Sequence, residues 1–358
     1  MGSISLPSPQ TTFLQTLLRH QLLPSAKPSL DSISLIGRTA VITGGSTGIG
    51  LACAKLLLSL QLPHLIIAAR SSEKGTKAAS DLGELYPKAE VEFWCLDLNS
   101  YESVRLFARK CASLSSLDIA ILNAGIMKNQ FHANVSTGHE ETFQVNYLST
   151  ALLAILLIPV LKSNSRHGPG RLTIVSSVAA VTTDFPEKDF VPIIPRFDRQ
   201  DNWSSAVAKQ RYDVTKLLLL MLLFKLSCVV KAEDVIINAV DPGFTLGTNL
   251  FCDIPLALKV SMWPLAKLMA TSPEKGAWTY VDACILRGAE SHGSFLSDWQ
   301  VNAYVSNSKM NRAIMPVSSA DHTSFHPIMY TPEGESVMDR LWEETINELK
   351  CDEFEKSG

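Results

Sequence analysis

From residue 38 onward, short runs of β-branched and other apolar residues alternate with longer stretches whose apolar positions recur every three to four residues. Such alternation predicts a parallel sheet covered by helices on both faces. Strands are predicted at 38–43, 64–69, 90–96, 117–123, 171–177, 234–240 and 293–297, and helices at 48–60, 72–86, 100–114, 138–162, 203–231 and 273–287. The fold class is α/β, a doubly wound sheet of seven strands in one domain, with no internal repeat.

Before this pattern, residues 1–30 are rich in Ser and Pro and carry an amphipathic stretch, FLQTLLRHQLL (13–23), expected to form a short helix packed on the domain, with a lipophilic surface as the alternative. The domain itself is assigned to 31–358. Near its end TPEGESVMDRLWEETINELK (331–350) predicts a helix, with Thr331 as N-cap, Pro332 at the first helical position, and Glu333 and Glu335 at the positive end of the dipole. Gly334 stands where a capping box calls for Glu.

Composition narrows the function classes. With 46% hydrophobic residues in 358, the chain has ample material for a core and is not a disordered protein. A net charge of −3 leaves no basic excess for phosphate backbones, so no nucleic-acid partner is expected. Seven scattered cysteines, an odd number without a C-x-x-C pair, argue against a disulfide framework or a metal site and for a reducing compartment, the cytoplasm. The N-terminus does not read as a signal peptide, Leu6 breaks the myristoylation pattern, and the sequons at Asn134 and Asn202 are expected to stay unmodified. The apolar runs 151–161 and 217–224 fall short of the roughly 20 residues of a membrane span. No transmembrane segment is expected.

The first candidate chemistry is TAVITGGSTGIGLACAKLL (39–57), where Gly44, Gly48 and Gly50 lie between a strand and a helix. Glycines let the backbone turn sharply and approach a pyrophosphate, which then meets the free N–H groups of the helix. Ser46, Thr47 and Ile49 are expected to line the same turn, a Rossmann-type arrangement. At the end of the second strand stands Arg70, where a carboxylate would clasp the ribose hydroxyl of NAD; a guanidinium there suits a 2′-phosphate, so NADP(H) is the expected cofactor. Asp97 and Leu98 after the third strand, and Asn123 and Gly125 in LNAG after the fourth, are placed along the adenosine.

Tyr212 and Lys216 are four apart on a predicted helix and so share a face. A nearby ammonium is expected to lower the phenol's pKa from about 10, fitting Tyr212 for general acid or base work. At the end of RLTIVSS, a hydroxyl reaches the crevice where α/β sheets bind ligands and can donate to a carbonyl; Ser177 is preferred and Ser176 is the alternative. Asn146, inside a predicted helix where Asn is a poor choice, is assigned a relay role next to Lys216, bonding a backbone carbonyl or a water.

Together these residues resemble the short-chain dehydrogenase/reductase family over roughly 36–300. TGGSTGIG (43–50) is similar to its cofactor turn, LNAG to its N-A-G element, Asn146, Ser177, Tyr212 and Lys216 to its catalytic set, and DPGF (241–244) to its P-G element. The resemblance implies that Tyr212 exchanges the proton, Lys216 binds the nicotinamide ribose, Ser177 polarises the carbonyl and Asn146 holds a relay water. Pro242 and Gly243 join the cofactor set, with Thr245 or Thr248 at the nicotinamide amide. The resemblance also implies that the leucine-rich helices 138–162 and 203–231 can pair with a second copy, a possible homodimer.

Two features depart from compact members. Ser177 and Tyr212 are 35 residues apart, with a Pro-rich insert at 178–203, and a lid is expected at 244–272. Insert and lid are expected to shape the substrate pocket. The N-terminal TTFLQTLLRHQLLP, the RYDVTKLL run and the WQVNAY and YTPEGE stretches resemble fungal reductases of secondary-metabolite pathways. Ketone–alcohol interconversion on a lipophilic substrate is expected, with Phe244, Phe251, Trp263 and Leu265 as candidate apolar contacts. A silent NADP(H)-binding sensor or scaffold, and a lyase, epimerase or dehydratase on the same fold, are the alternatives.

Overall fold

The computed structural model describes residues 33–245, 250, 253, 270–297, 299–303 and 325–351. The N-terminal stretch 13–23, Thr248, Phe251, Trp263 and Leu265 lie outside them.

Eight strands form one sheet in the order β3-β2-β1-β4-β5-β6-β7-β8. They are β1 (Thr39–Thr43), β2 (His64–Ala69), β3 (Glu90–Cys95), β4 (Ile119–Leu122), β5 (Gly170–Val175), β6 (Val235–Val240), β7 (Ser294–Ser297) and β8 (Gln300–Ala303). All pairings are parallel except β7–β8. Every residue of β1 and β6 is buried, as expected of a parallel sheet covered on both faces by helices. Strand order reverses between β1 and β4, which opens a crevice at their C-terminal ends.

The helices are α1 (Gly48–Ser59), α2 (Ser72–Leu85), α3 (Tyr101–Ala112), α4 (Glu141–Asn164), α5 (Ala179–Thr182), α6 (Ile194–Phe197), α7 (Ser205–Val229), α8 (Pro273–Val281) and α9 (Pro332–Leu349). One core cluster packs α1, α2 and α8 on one face of the sheet; a second packs α3, α4, α7 and α9 on the other. All seven predicted strands are present. The eighth, β8, joins the edge antiparallel to β7, and its four residues, QVNA, carry too weak an apolar pattern to announce it.

α9 begins as the sequence indicates, with the Thr331 hydroxyl accepting from Gly334 N at 3.0 Å. Position 334 has no room for the Glu of a capping box, because a Cβ there would lie 1.9 Å from the Ile328 carbonyl oxygen. From this start α9 runs across α4 and α7: Leu341, Trp342, Ile346 and Leu349 enter their core cluster, and Tyr147 Oη meets Thr345 Oγ1 at 2.9 Å.

The insert closes the same side. Phe185, Ile193, Ile194 and Phe197 are buried, and the Glu344 carboxylate of α9 accepts from the backbone of Ile193 and Ile194 at 2.8–2.9 Å. The apolar faces of α4 and α7, expected to serve a dimer, are thus packed against the chain's own insert and C-terminal helix. Glu141–Asn164 is the one helix among the described residues long and apolar enough to cross a membrane, and 89% of its most apolar window is buried inside the protein.

Candidate active site

At the crevice, Gly44 takes φ +67° and Gly48 φ +58°, conformations that glycine adopts without strain. Their turn is tight: a Cβ on Gly50 would stand 2.4 Å from the Gly44 carbonyl oxygen. The turn delivers the chain into α1, whose N-cap Thr47 makes no side-chain cap bond and whose first turn carries no acidic residue. A diphosphate fits this cradle, since the first N–H groups and the dipole both favour an anion. Ser46, Thr47, Gly48 and Ile49 are half-buried around it.

Asn123 buttresses the turn from β4. Its amide donates to Thr43 O at 2.8 Å, while the Thr43 hydroxyl accepts from Asn123 N and Ala124 N at 3.0 Å. The Asn123 side-chain Oδ1 accepts from Tyr280 Oη at 2.8 Å. Thr43 and Tyr280 are support residues the sequence reading missed. Thr43 was visible as the residue opening the glycine motif, whereas Tyr280, 157 positions from Asn123, left no local signal.

On the adenosine side, Arg70 follows β2 directly and is exposed. The Asp97 carboxylate accepts from Asn99 N at 3.0 Å, which shapes its loop. The Leu98 side chain is buried in the core with α3 and α4, and its carbonyl accepts from the Ser149 hydroxyl at 2.5 Å. On α8, a Cβ at Gly276 would touch Ile49 Cγ2 at 3.3 Å and Pro242 O at 3.4 Å, which shows that the glycine turn and the P-G element meet there. Gly243 takes φ +73°, and the Thr245 hydroxyl donates to Gly243 O at 3.2 Å.

The four candidate catalytic residues come from three elements. Asn146 is not in a regular α-helical turn but in a π turn, Gln144–Leu148, inside α4. Such widened turns are frequent at functional sites. Its amide bonds the backbone of Ile126 on both sides, accepting from N at 2.8 Å and donating to O at 2.9 Å, and donates to Thr215 Oγ1 at 3.1 Å. The backbone-carbonyl partner expected of Asn146 is Ile126. Gly125 marks where α4 and α7 converge, since a Cβ there would lie 3.3 Å from Asn146 Oδ1 and 3.5 Å from Lys216 Nζ.

β5 ends at Val175, and the two serines beyond it have different surroundings. Ser176 is 1% exposed and its hydroxyl donates to Lys216 O at 2.9 Å, so it ties β5 to α7. Ser177 is half-buried at the crevice, its hydroxyl accepting from Ala179 N at 3.2 Å and keeping its own proton to donate. Lys216 Nζ donates to Val175 O at 3.0 Å and lies 5.6 Å from the centre of the Tyr212 ring. Thr215, inside the Tyr–Lys motif, is a further support that the motif itself could have indicated.

The electrostatics correct one expectation. Burial pushes the Lys216 ammonium down to about 8. The Tyr212 phenol moves up, not down, through burial first and then the carboxylates of Asp213 and Asp241. The ammonium bonds the Val175 carbonyl and lies 5.6 Å from the ring centre, and desolvation outweighs its pull.

Beside the site, His139 clasps the insert and α9: Nδ1 lies 2.8 Å from Asp198 and Nε2 3.1 Å from Glu348, which also accepts from Tyr101 Oη at 3.4 Å. Burial alone would lower the imidazole's pKa, but bonds to the two carboxylates outweigh it and the net shift is upward. A raised folded-state value stabilises fully below the unfolded pKa of about 6.5 and is lost as pH rises through the folded value. Urea unfolding is expected to show stability declining as pH rises above about 6.5, a decline that His139→Gln flattens. An identical decline in the variant would assign it to other groups.

Residues 38–186 match the family profile described as short chain dehydrogenase. Short chain dehydrogenase/reductase mfmJ of Annulohypoxylon moriforme is 41% identical over 346 residues, 96% of this chain and 94% of the relative. Short chain dehydrogenase virL of Hypocrea virens is 38% identical over 345 residues, covering 95% and 92%. Among solved structures, L-sorbose reductase from Gluconobacter frateurii, complexed with NADPH and L-sorbose, superposes with a TM-score of 0.55 at 26% identity, covering 74% of this chain and 96% of that one. A doubly wound sheet, a glycine cradle and a Tyr–Lys helix beside a crevice Ser agree with these matches: the chain belongs to the short-chain dehydrogenase/reductase family.

Proposed function

We propose that this oxidoreductase interconverts a ketone and a secondary alcohol on a lipophilic substrate, using NADP(H), in the cytoplasm, and that the substrate is a secondary-metabolite intermediate of polyketide or terpenoid type. The observation that carries the reading is the convergence of Asn146 Oδ1 and Lys216 Nζ on Gly125, beside the Tyr212 ring and the end of β5 that presents Ser177. Arg70 at the end of β2 supports the 2′-phosphate, as does the NADPH held by the Gluconobacter relative. The fungal relatives support the substrate class.

Bound in the cradle, the cofactor supplies the hydride. The Ser177 hydroxyl donates to the substrate carbonyl oxygen as negative charge gathers there. Tyr212, whose phenol is protonated at neutral pH, gives that oxygen its proton. Lys216 offsets the phenolate left behind, and Asn146, held on Ile126 and Thr215, fixes the backbone beside it. Purified protein is expected to oxidise NADPH with apolar ketones, followed at 340 nm. Absence of NADPH oxidation across aryl and long-chain ketones, with no NADP⁺ reduction by the matching alcohols, would refute the reading.

A further inference from the structure

One buried charge cluster next to the site has no part in proton or hydride transfer. Arg211, the residue before Tyr212, has a side chain 5% exposed. Its guanidinium lies 3.7 Å from Glu140, which is fully buried, and 3.8 Å from Glu187 of the insert. It also donates to the Phe197 carbonyl and stacks over the Phe197 ring at 4.8 Å. Glu140 is itself engaged at the start of α4, where its carboxylate accepts from Thr142 N at 2.8 Å and Phe143 N at 3.0 Å. Placing a buried cation and anion here costs desolvation that an apolar pair of the same volume would avoid. Stability alone therefore does not explain the choice of residues.

The geometry does. Arg211 and Thr215 are one turn apart on α7 and share a face. Arg211 reaches Glu140 and Thr215 accepts from Asn146, so α7 is pinned to α4 at two successive turns. Two pins fix both the rotation of α7 about its axis and its slide along α4. Tyr212 and Lys216 each follow a pinned residue, about 100° further round the helix. The same rotation that seats 211 and 215 against α4 therefore turns 216 toward Gly125 and Val175, with the 212 ring centre 5.6 Å from its ammonium.

We propose that Arg211 is a positioning residue, which with Glu140 locks α7 on α4 in the rotation that presents Tyr212 to the substrate carbonyl. The inference rests on the catalytic reading of Tyr212. Through Glu187 and the Phe197 carbonyl, the same guanidinium makes the insert part of the lock.

The test compares Arg211→Met with the double variant Glu140→Gln/Arg211→Met, in which Glu140 is not left as a stranded buried charge and the amide oxygen that replaces it can still accept one of the two cap bonds at the start of α4. Three readouts apply: melting temperature, kcat and KM for NADPH-dependent reduction of 9,10-phenanthrenequinone, and the ¹⁹F resonance of Tyr212 in 3-fluorotyrosine-labelled protein, assigned with Tyr212→Phe. The double variant is expected to regain most of the stability lost in Arg211→Met, yet keep kcat about 10- to 100-fold below wild type with NADPH affinity unchanged. Its Tyr212 resonance is expected to be broadened or split.

Wild-type kcat and a single sharp resonance in the double variant would overturn the inference and leave the pair a stabilising contact. Should Arg211→Met alone fail to fold, the double variant carries the comparison, and should the quinone prove no substrate, the fluorine signal decides it. Full quinone reduction by Tyr212→Phe would instead refute the catalytic reading, an outcome separate from either result at Arg211.

Discussion

Replacing Tyr212 by Phe is expected to lower kcat for ketone reduction by about 10²- to 10⁴-fold while leaving NADPH binding nearly unchanged. The substitution removes one oxygen from a half-buried ring and no packing, so the loss would belong to proton delivery. The pH dependence has a definite sign. Burial holds the phenol above its ordinary value, so the proton donor is present throughout the neutral range. The nearest group to titrate is Lys216, pushed down to about 8. Reduction should therefore run at a steady rate through neutrality and decline as pH rises past that value, where the ammonium that offsets the nascent phenolate loses its charge. Steady-state rates across the pH range check this. A Tyr212→Phe enzyme with unaltered kcat, or a wild-type rate that climbs through pH 8, would contradict the assignment.

The second large effect is expected at Arg70. Changing it to Asp should weaken NADPH binding by about 100-fold and leave NADH binding the same or tighter. A bidentate, charge-assisted bond to phosphate contributes roughly 2–3 kcal/mol, each 1.4 kcal/mol being tenfold in affinity, and a carboxylate in its place accepts from an unphosphorylated ribose. The fold should be indifferent to the change. Arg70 is exposed, and among the described residues its only bond is its backbone carbonyl's with Cys95 Sγ, at 3.9 Å. Fluorescence titration with both cofactors measures the ratio. Equal loss of NADPH and NADH, or no change in their ratio, would remove Arg70 from the cofactor site.

Much of the fold was legible because a doubly wound sheet writes itself locally. Buried strands such as IAIL are continuous apolar runs, VIINAV is another except for Asn238, and helices such as α2 and α3 keep a clear 3.6 period. The start of α9 was legible for the same reason, since capping is decided within a few residues. What escaped depends on contacts distant in sequence. The π turn at Asn146 has no pattern of its own, and the partner of its amide, Ile126, lies 20 positions away. The covering of α4 and α7 by α9 could not be seen either: a leucine-rich face looks the same whether it meets a second copy or its own C-terminus. The Tyr212 phenol went the other way from expectation because sequence spacing shows which charge is near, while burial, the larger influence here, belongs to the folded state.

The decisive measurement is product analysis after turnover of an apolar ketone with NADPH deuterated at the transferable position. The alcohol should carry one deuterium on the former carbonyl carbon, in a single configuration, and none should form with Tyr212→Phe. A product bearing no deuterium, or one formed by elimination or epimerisation without loss of NADPH, would show that the Ser177–Tyr212–Lys216 crevice performs some other chemistry.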